Sequence, residues 1–109
     1  MPLTADHFDR INAFLRNRID PLLAHAREQG NSDLVTALTA LFQAVESNYA
    51  LGRDLLTVEL DAEDREARAD ARWDSLSTMA YEWRDHPDYL DEFELNIHEL
   101  GGVPAPARP

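Results

Sequence analysis

Four histidines, His7, His25, His86 and His98, are the side chains best suited to hold a metal or to move a proton near neutral pH. None has a glutamate three residues before it, so the Glu-x-x-His pairing of bundle di-iron and di-manganese sites is missing. His86 with Asp88, or His98 with Glu99, offers two donors and needs the fold to bring others. The chain has no cysteine, which removes thiolate ligands, thiol nucleophiles and disulfides together. No phosphate-cradling glycine loop or nucleophile elbow occurs. Carboxylates are abundant, but an acid catalyst needs a carboxyl whose pKa is raised by burial, and these fall on faces expected to be wet. The reading is of a non-enzyme with no catalytic residue, no metal and no cofactor, its histidines serving as surface or capping groups.

The charge is more informative. The net charge of -11 is uneven: eight acids and five arginines lie in residues 1–60, against thirteen acids and five arginines in residues 61–109. Phosphate binding needs cations that displace counterions, so direct nucleic-acid binding is disfavoured and a basic protein partner is favoured. Every cation is arginine; there is no lysine. No apolar run approaches the eighteen or so residues of a membrane span, and the N-terminus lacks a charged-then-apolar signal pattern. A cytoplasmic protein without a membrane partner is expected.

The elements that must position these groups read as all-α: an antiparallel bundle of three long helices and a short C-terminal amphipathic helix. A single domain spans residues 1–102, and the proline-rich residues 103–109 form an extended tail. Thr4 or Asp6 caps the first helix, whose buried stripe is Phe8, Ile11, Leu15, Ile19, Leu22 and Ala26. Pro21 should kink it, or break it with Asp20 capping a second piece. Gly30 ends it, and Asn31-Ser32 opens the next across a very short turn. The second helix, Ser32 to Leu60, is the longest and most apolar, with a seam of Leu34, Leu38, Leu41, Val45, Asn48, Gly52 and Leu55. Val35, Phe42, Tyr49, Leu51 and Leu56 widen that seam, which predicts the central place in the bundle. On the seam, Gly52 suits a close helix crossing and Asn48 a hydrogen bond across the core, with a polar interhelical pocket as the alternative. Asp61-Ala-Glu-Asp64 caps the third helix, where Ala62, Ala69, Trp73, Leu76, Ala80 and Trp83 repeat the buried spacing. Asp85-His86-Pro87-Asp88 closes it.

The fourth helix, Pro87 to about Leu100, would set Leu90, Phe93, Ile97 and Leu100 on one side and Asp88, Asp91, Glu92 and Glu99 on the other. That two-faced helix suggests an interaction module docking a basic surface through Asp85, Asp88, Tyr89, Asp91, Glu92, Phe93 and Glu99. The charge supplies selectivity and on-rate, and an aromatic or aliphatic anchor supplies affinity. Two alternatives are a nucleic-acid mimic occupying the basic cleft of a DNA-binding protein, and a small-ligand or metal-binding bundle. If the helices leave one side of Ser32 to Leu60 uncovered, that strip would pair with its copy in a homodimer.

Trp83-Arg-Asp-His-Pro-Asp-Tyr89 resembles the Asp-His-Pro-Asp-Tyr ending of a family of small uncharacterised actinobacterial proteins of streptomycete type. Ile11-Asn-Ala-Phe-Leu-Arg-Asn-Arg-Ile-Asp20 is similar to that family's Phe-Leu-Arg-x-Arg-Leu-Asp-like start. The two matches cover under a quarter of the chain. Family members often carry cysteines near the helix that here holds Trp73, and this chain has none, so the resemblance implies origin and compartment but no metal and no activity.

Overall fold

The computed structural model describes residues 3–57 and 62–94. Among these the chain forms three α-helices, α1 (Ala5–Glu28), α2 (Ser32–Leu55) and α3 (Ala62–Tyr81), followed by one turn of 3₁₀ helix at Asp91–Glu94, with no strand. Residues 58–60, where α2 was expected to continue, lie outside the described residues, as do Glu99 and the 103–109 tail. The expected helix from Pro87 is corrected in its first part: residues 87–90 are not helical, and among the described residues helical structure resumes at Asp91, as a 3₁₀ turn.

Local chemistry sets the helix ends. Thr4 caps α1 through a reciprocal pair: its hydroxyl accepts the His7 N–H, and its own N–H donates to His7 Nδ1 at 3.0 Å. The α1–α2 turn is a Schellman motif. The Asn31 N–H donates to Ala26 O at 3.0 Å and the Gly30 N–H to Arg27 O at 3.1 Å, with Gly30 at φ 65°, a conformation only glycine adopts cheaply. Asn31 then serves as the next cap, its Oδ1 accepting the Leu34 N–H at 3.2 Å. Pro21 lies inside α1, which runs through it without a break, so Asp20 does not start a second helix. The buried positions Ile19, Leu23 and Ala26 keep one stripe on both sides of the proline, and their packing outweighs the one backbone bond that it lacks.

The core is arranged around α1 rather than α2. Phe8, Ile11, Phe14, Leu15, Ile19, Leu23 and Ala26 of α1 are buried, whereas α2 buries only Val45 and Gly52. Leu41, Phe42, Tyr49 and Leu56 pack against the core while half-buried, and Leu34 and Leu51 remain 42% and 46% exposed. α2 packs against both α1 and α3, so the difference lies in the segment after α3, whose His86, Tyr89 and Phe93 rings gather on Phe14 and add a further cover to α1. From α3, Ala69, Trp73, Leu76, Ser77 and Ala80 complete the interior, and Trp83 packs half-buried at its edge.

The seam residues of α2 resolve into structural roles. A Cβ built on Gly52 would fall 2.6 Å from Cζ and 2.8 Å from Cδ1 of Phe8, so glycine is what lets α1 approach α2 there. Asn48 bonds at the rim rather than across the core. Its Nδ2 donates to Ala44 O at 2.8 Å, and its Oδ1 accepts from Arg72 of α3 at 3.4 Å. Further along, Tyr49 donates its hydroxyl to Asp9 at 2.7 Å, and Arg53 pairs with the same carboxylate oxygen at 3.2 Å. Arg16 meets Glu46 at 3.0 Å.

Candidate docking face

The segment after α3 carries most of the predicted docking residues, and it is fastened along α1. The last turn of α3 tightens through Trp83 N–H to Ala80 O at 2.9 Å and Arg84 N–H to Tyr81 O at 3.1 Å, and the Arg84 guanidinium lies over the Tyr81 ring at 4.6 Å. His86 next turns the chain. Its N–H reaches Trp83 O at 2.9 Å, its Nδ1 accepts the Asp88 N–H at 3.0 Å, and its carbonyl accepts from Tyr89 at 3.0 Å. Pro87 between them disfavours helical geometry at His86, in keeping with the bend there. His86, Tyr89 and Phe93 then surround Phe14 of α1, with ring centroids 6.0, 5.7 and 5.2 Å from it. Two arginines of α1 hold the carboxylates of this segment. Arg10 Nε meets both Glu92 oxygens at 3.0 and 2.9 Å, and Arg18 lies 3.8 Å from Asp88.

This fastening sorts the seven expected docking residues. Asp85, Asp88 and Asp91 are exposed, and the Asp88 side chain keeps 68% of its surface despite its arginine. Glu92 is committed to Arg10 and only 25% exposed in its side chain. Phe93 is 1% exposed and Tyr89 half-buried, both stacked into the Phe14 cluster, so Phe93 is core and not a partner anchor. Glu99 lies outside the described residues. Leu90, placed with Phe93 on the apolar side of the expected helix, parts from it: Phe93 is buried, whereas Leu90 is 39% exposed and lies in sequence between the exposed Asp88 and Asp91. A shallow groove runs beside it, walled by Arg10, Ala13 and Asn17 of α1 and floored by Phe14 and Phe93. The turn chemistry of His86-Pro87 was the available signal for that change. Nothing in the sequence marks Arg10, Phe14 and Arg18 as its footing.

The remaining chemistry-bearing groups are separate. His7 caps α1 and meets the Trp73 ring edge-on at 5.9 Å, His25 is exposed, and His86 builds the turn. Among the described residues no three histidine, aspartate or glutamate side chains converge as a metal site would require, and no helix is long and apolar enough to cross a membrane. Ser77 is fully buried, and its hydroxyl has no hydrogen-bond partner among the described residues, hence no base to activate it there. Tyr49 is the titratable group whose ionisation clearly shifts. The hydrogen bond to Asp9 chiefly, then desolvation and the Asp9 charge, hold its phenol above the ordinary value, while Arg53 opposes the shift. The Asp9 carboxylate favours the protonated phenol as a donor, and the bond ties α2 to α1. No family model matches the chain, and neither a curated protein nor a solved structure is detectably similar to it.

Proposed function

We propose that the protein is a non-enzymatic interaction module that docks a basic protein surface through the segment Asp85–Asp91, with Leu90 as its apolar anchor. One observation carries the reading: a large aliphatic side chain stands exposed between exposed carboxylates on a segment already fastened to α1 by the Phe14 ring cluster and the Arg10 and Arg18 pairs. Such a patch meets the two needs of a selective contact. The carboxylates steer a cationic partner, and a pre-ordered leucine loses little freedom when buried. The architecture behind it is an antiparallel bundle, a reading supported by the order of the contacts. Low-numbered Phe8 and Asp9 of α1 meet Gly52, Tyr49 and Arg53, and Arg16, further along α1, meets the earlier Glu46, so α1 and α2 run in opposite directions.

The test uses immobilised protein as bait in parallel with two variants. Asp88→Arg with Asp91→Arg reverses the docking charges, and Asp33→Arg with Asp54→Arg makes the same charge change at exposed acids of α2. A partner retained by the wild type and the α2 control, lost from the docking variant and from Leu90→Ser, and weakened by salt supports the module. Retention indifferent to salt and to the docking variant refutes it.

A further inference from the structure

The groove beside Leu90 is sized for one side chain. Arg10, Ala13 and Asn17 of α1 and Asp88 and Leu90 of the docking segment wall it, Phe14 and Phe93 floor it, and it holds about 210 Å³. An apolar cavity of about 150 Å³ accepts a benzene ring, whereas sites for whole small-molecule ligands run to about 300–1,000 Å³. The hollow therefore suits a single leucine, methionine or phenylalanine side chain. Its floor is already set, since the Phe14 and Phe93 rings are buried with their centroids 5.2 Å apart. The charge around it is partly cancelled. Glu92 takes Arg10 through both carboxylate oxygens, and the Arg84 guanidinium is turned onto the Tyr81 ring and carbonyl. What is left is the exposed Asp85, Asp88 and Asp91 against Arg18, whose side chain is only 16% exposed and lies 3.8 Å from Asp88.

Building on the docking role proposed above, we infer that this groove receives one apolar side chain of a basic peptide segment on the partner, whose adjoining lysine or arginine residues meet Asp88 and Asp91. Volume selects a side chain over a whole ligand, and the uncancelled carboxylates select a cationic neighbour for it. A second copy of the chain fits less well. It carries -11, with 21 acids against 10 arginines, and would bring further carboxylates up to Asp85, Asp88 and Asp91. The entering side chain would be enclosed by Leu90, Ala13 and the edges of two rings that do not have to move, so little order is lost on binding. The apolar insertion supplies affinity and the carboxylates supply orientation, which divides the work between two separable features of one face.

NMR titration of the whole chain at low salt, with the Leu90 and Ala13 signals as reporters, reads even a weak contact. The probes are the peptide Lys-Lys-Leu-Lys-Lys and its counterpart with serine in place of leucine. The leucine peptide should bind the wild type about tenfold or more tighter than the serine peptide, and added salt should weaken both. Ala13→Trp fills the groove without touching a carboxylate and should bring the two peptides to equal affinity. Ala24→Trp, the same change at an exposed α1 position that does not line the groove, should keep the preference. Should Ala13→Trp lose its helical circular dichroism, Asn17→Trp on the same wall decides in its place. Equal binding of the two peptides to the wild type, or a preference that survives Ala13→Trp, overturns the inference. Equal binding that Asp88→Arg with Asp91→Arg abolishes would leave the docking segment standing with its groove unused, whereas binding indifferent to that reversal would sink both. A wild-type dimer that Ala13→Trp dissolves would give the groove to a second copy. Signals of Leu95 to Leu100 displaced by Ala13→Trp without peptide would give it to the chain's own C-terminal residues, and either result overturns the assignment to a partner.

Discussion

Gly52→Ala is the substitution whose sign the structure decides against simple propensity. In an exposed helix interior, alanine for glycine stabilises by roughly 0.5–1 kcal/mol. At this position the new methyl would overlap the ring of Phe8, which is fully buried and packs edge-on against Trp73 with centroids 5.6 Å apart, so it has no free space into which to withdraw. Overpacking of that kind costs about 1–3 kcal/mol. The difference is a net loss of about 0–2.5 kcal/mol, and because the buried ring cannot withdraw the upper part of that range applies, about 1–2.5 kcal/mol, which in a domain of this size lowers the melting temperature by about 4–20 °C. Thermal unfolding followed by circular dichroism reads this directly. Phe8→Leu in the Gly52→Ala background should recover part of the loss, with a coupling of about 1–2 kcal/mol between the two positions. A Gly52→Ala protein as stable as the wild type or more so, or a double variant whose losses simply add, would refute the close crossing of α1 and α2.

Three further outcomes follow from named contacts. Pro21→Ala should stabilise the protein by about 1–3 kcal/mol in urea unfolding, because α1 is continuous through an exposed proline that forfeits one helical bond; no gain would mean that the helix is broken there. Phe93→Ala should cost about 3–5 kcal/mol, since the ring is buried against Phe14 and Tyr89, whereas unchanged stability would return Phe93 to the surface role. Tyr49 governs the alkaline limb of stability. Its folded pKa lies above the unfolded value, so its contribution is complete below the unfolded phenol pKa and is lost as pH rises through the folded one. Absorbance at 295 nm should show one tyrosine titrating late in the wild type, and Asp9→Asn or Tyr49→Phe should remove that late component; its persistence in both would contradict the Asp9 tie.

Much of the fold was legible because helix periodicity and end chemistry agree locally. Thr4, Gly30 and Asn31 set termini that the chain keeps, and the 3-4 spacing of Phe8, Ile11, Leu15 and Ile19, or of Ala69, Trp73, Leu76 and Ala80, does mark buried faces. The relative burial of the helices was not legible. An apolar count puts α2 at the centre, but the segment after α3 folds back on Phe14 and adds a cover to α1 that no local pattern announces, and α1 buries the longer stripe. The docking segment misled for a related reason. Continuing a helical wheel from Pro87 put Leu90 and Phe93 together on one apolar side, whereas beyond the His86 turn Leu90 stands exposed and Phe93 stacks on Phe14. The pairings of Arg10 with Glu92 and Arg18 with Asp88 join residues 82 and 70 positions apart, and no local pattern encodes them.

The docking reading has an unusually clean probe, because the chain has no lysine. Carbodiimide coupling of its carboxylates to lysine amines, performed in a cell extract and mapped by mass spectrometry, therefore reports links to other molecules, the chain's own N-terminal amine aside. Adducts concentrated on Asp85, Asp88 and Asp91, and suppressed by salt or by Leu90→Ser, are the predicted result. Adducts spread evenly over the exposed acids, or gathered on Asp33 and Asp54 of α2, would contradict the assignment of this face.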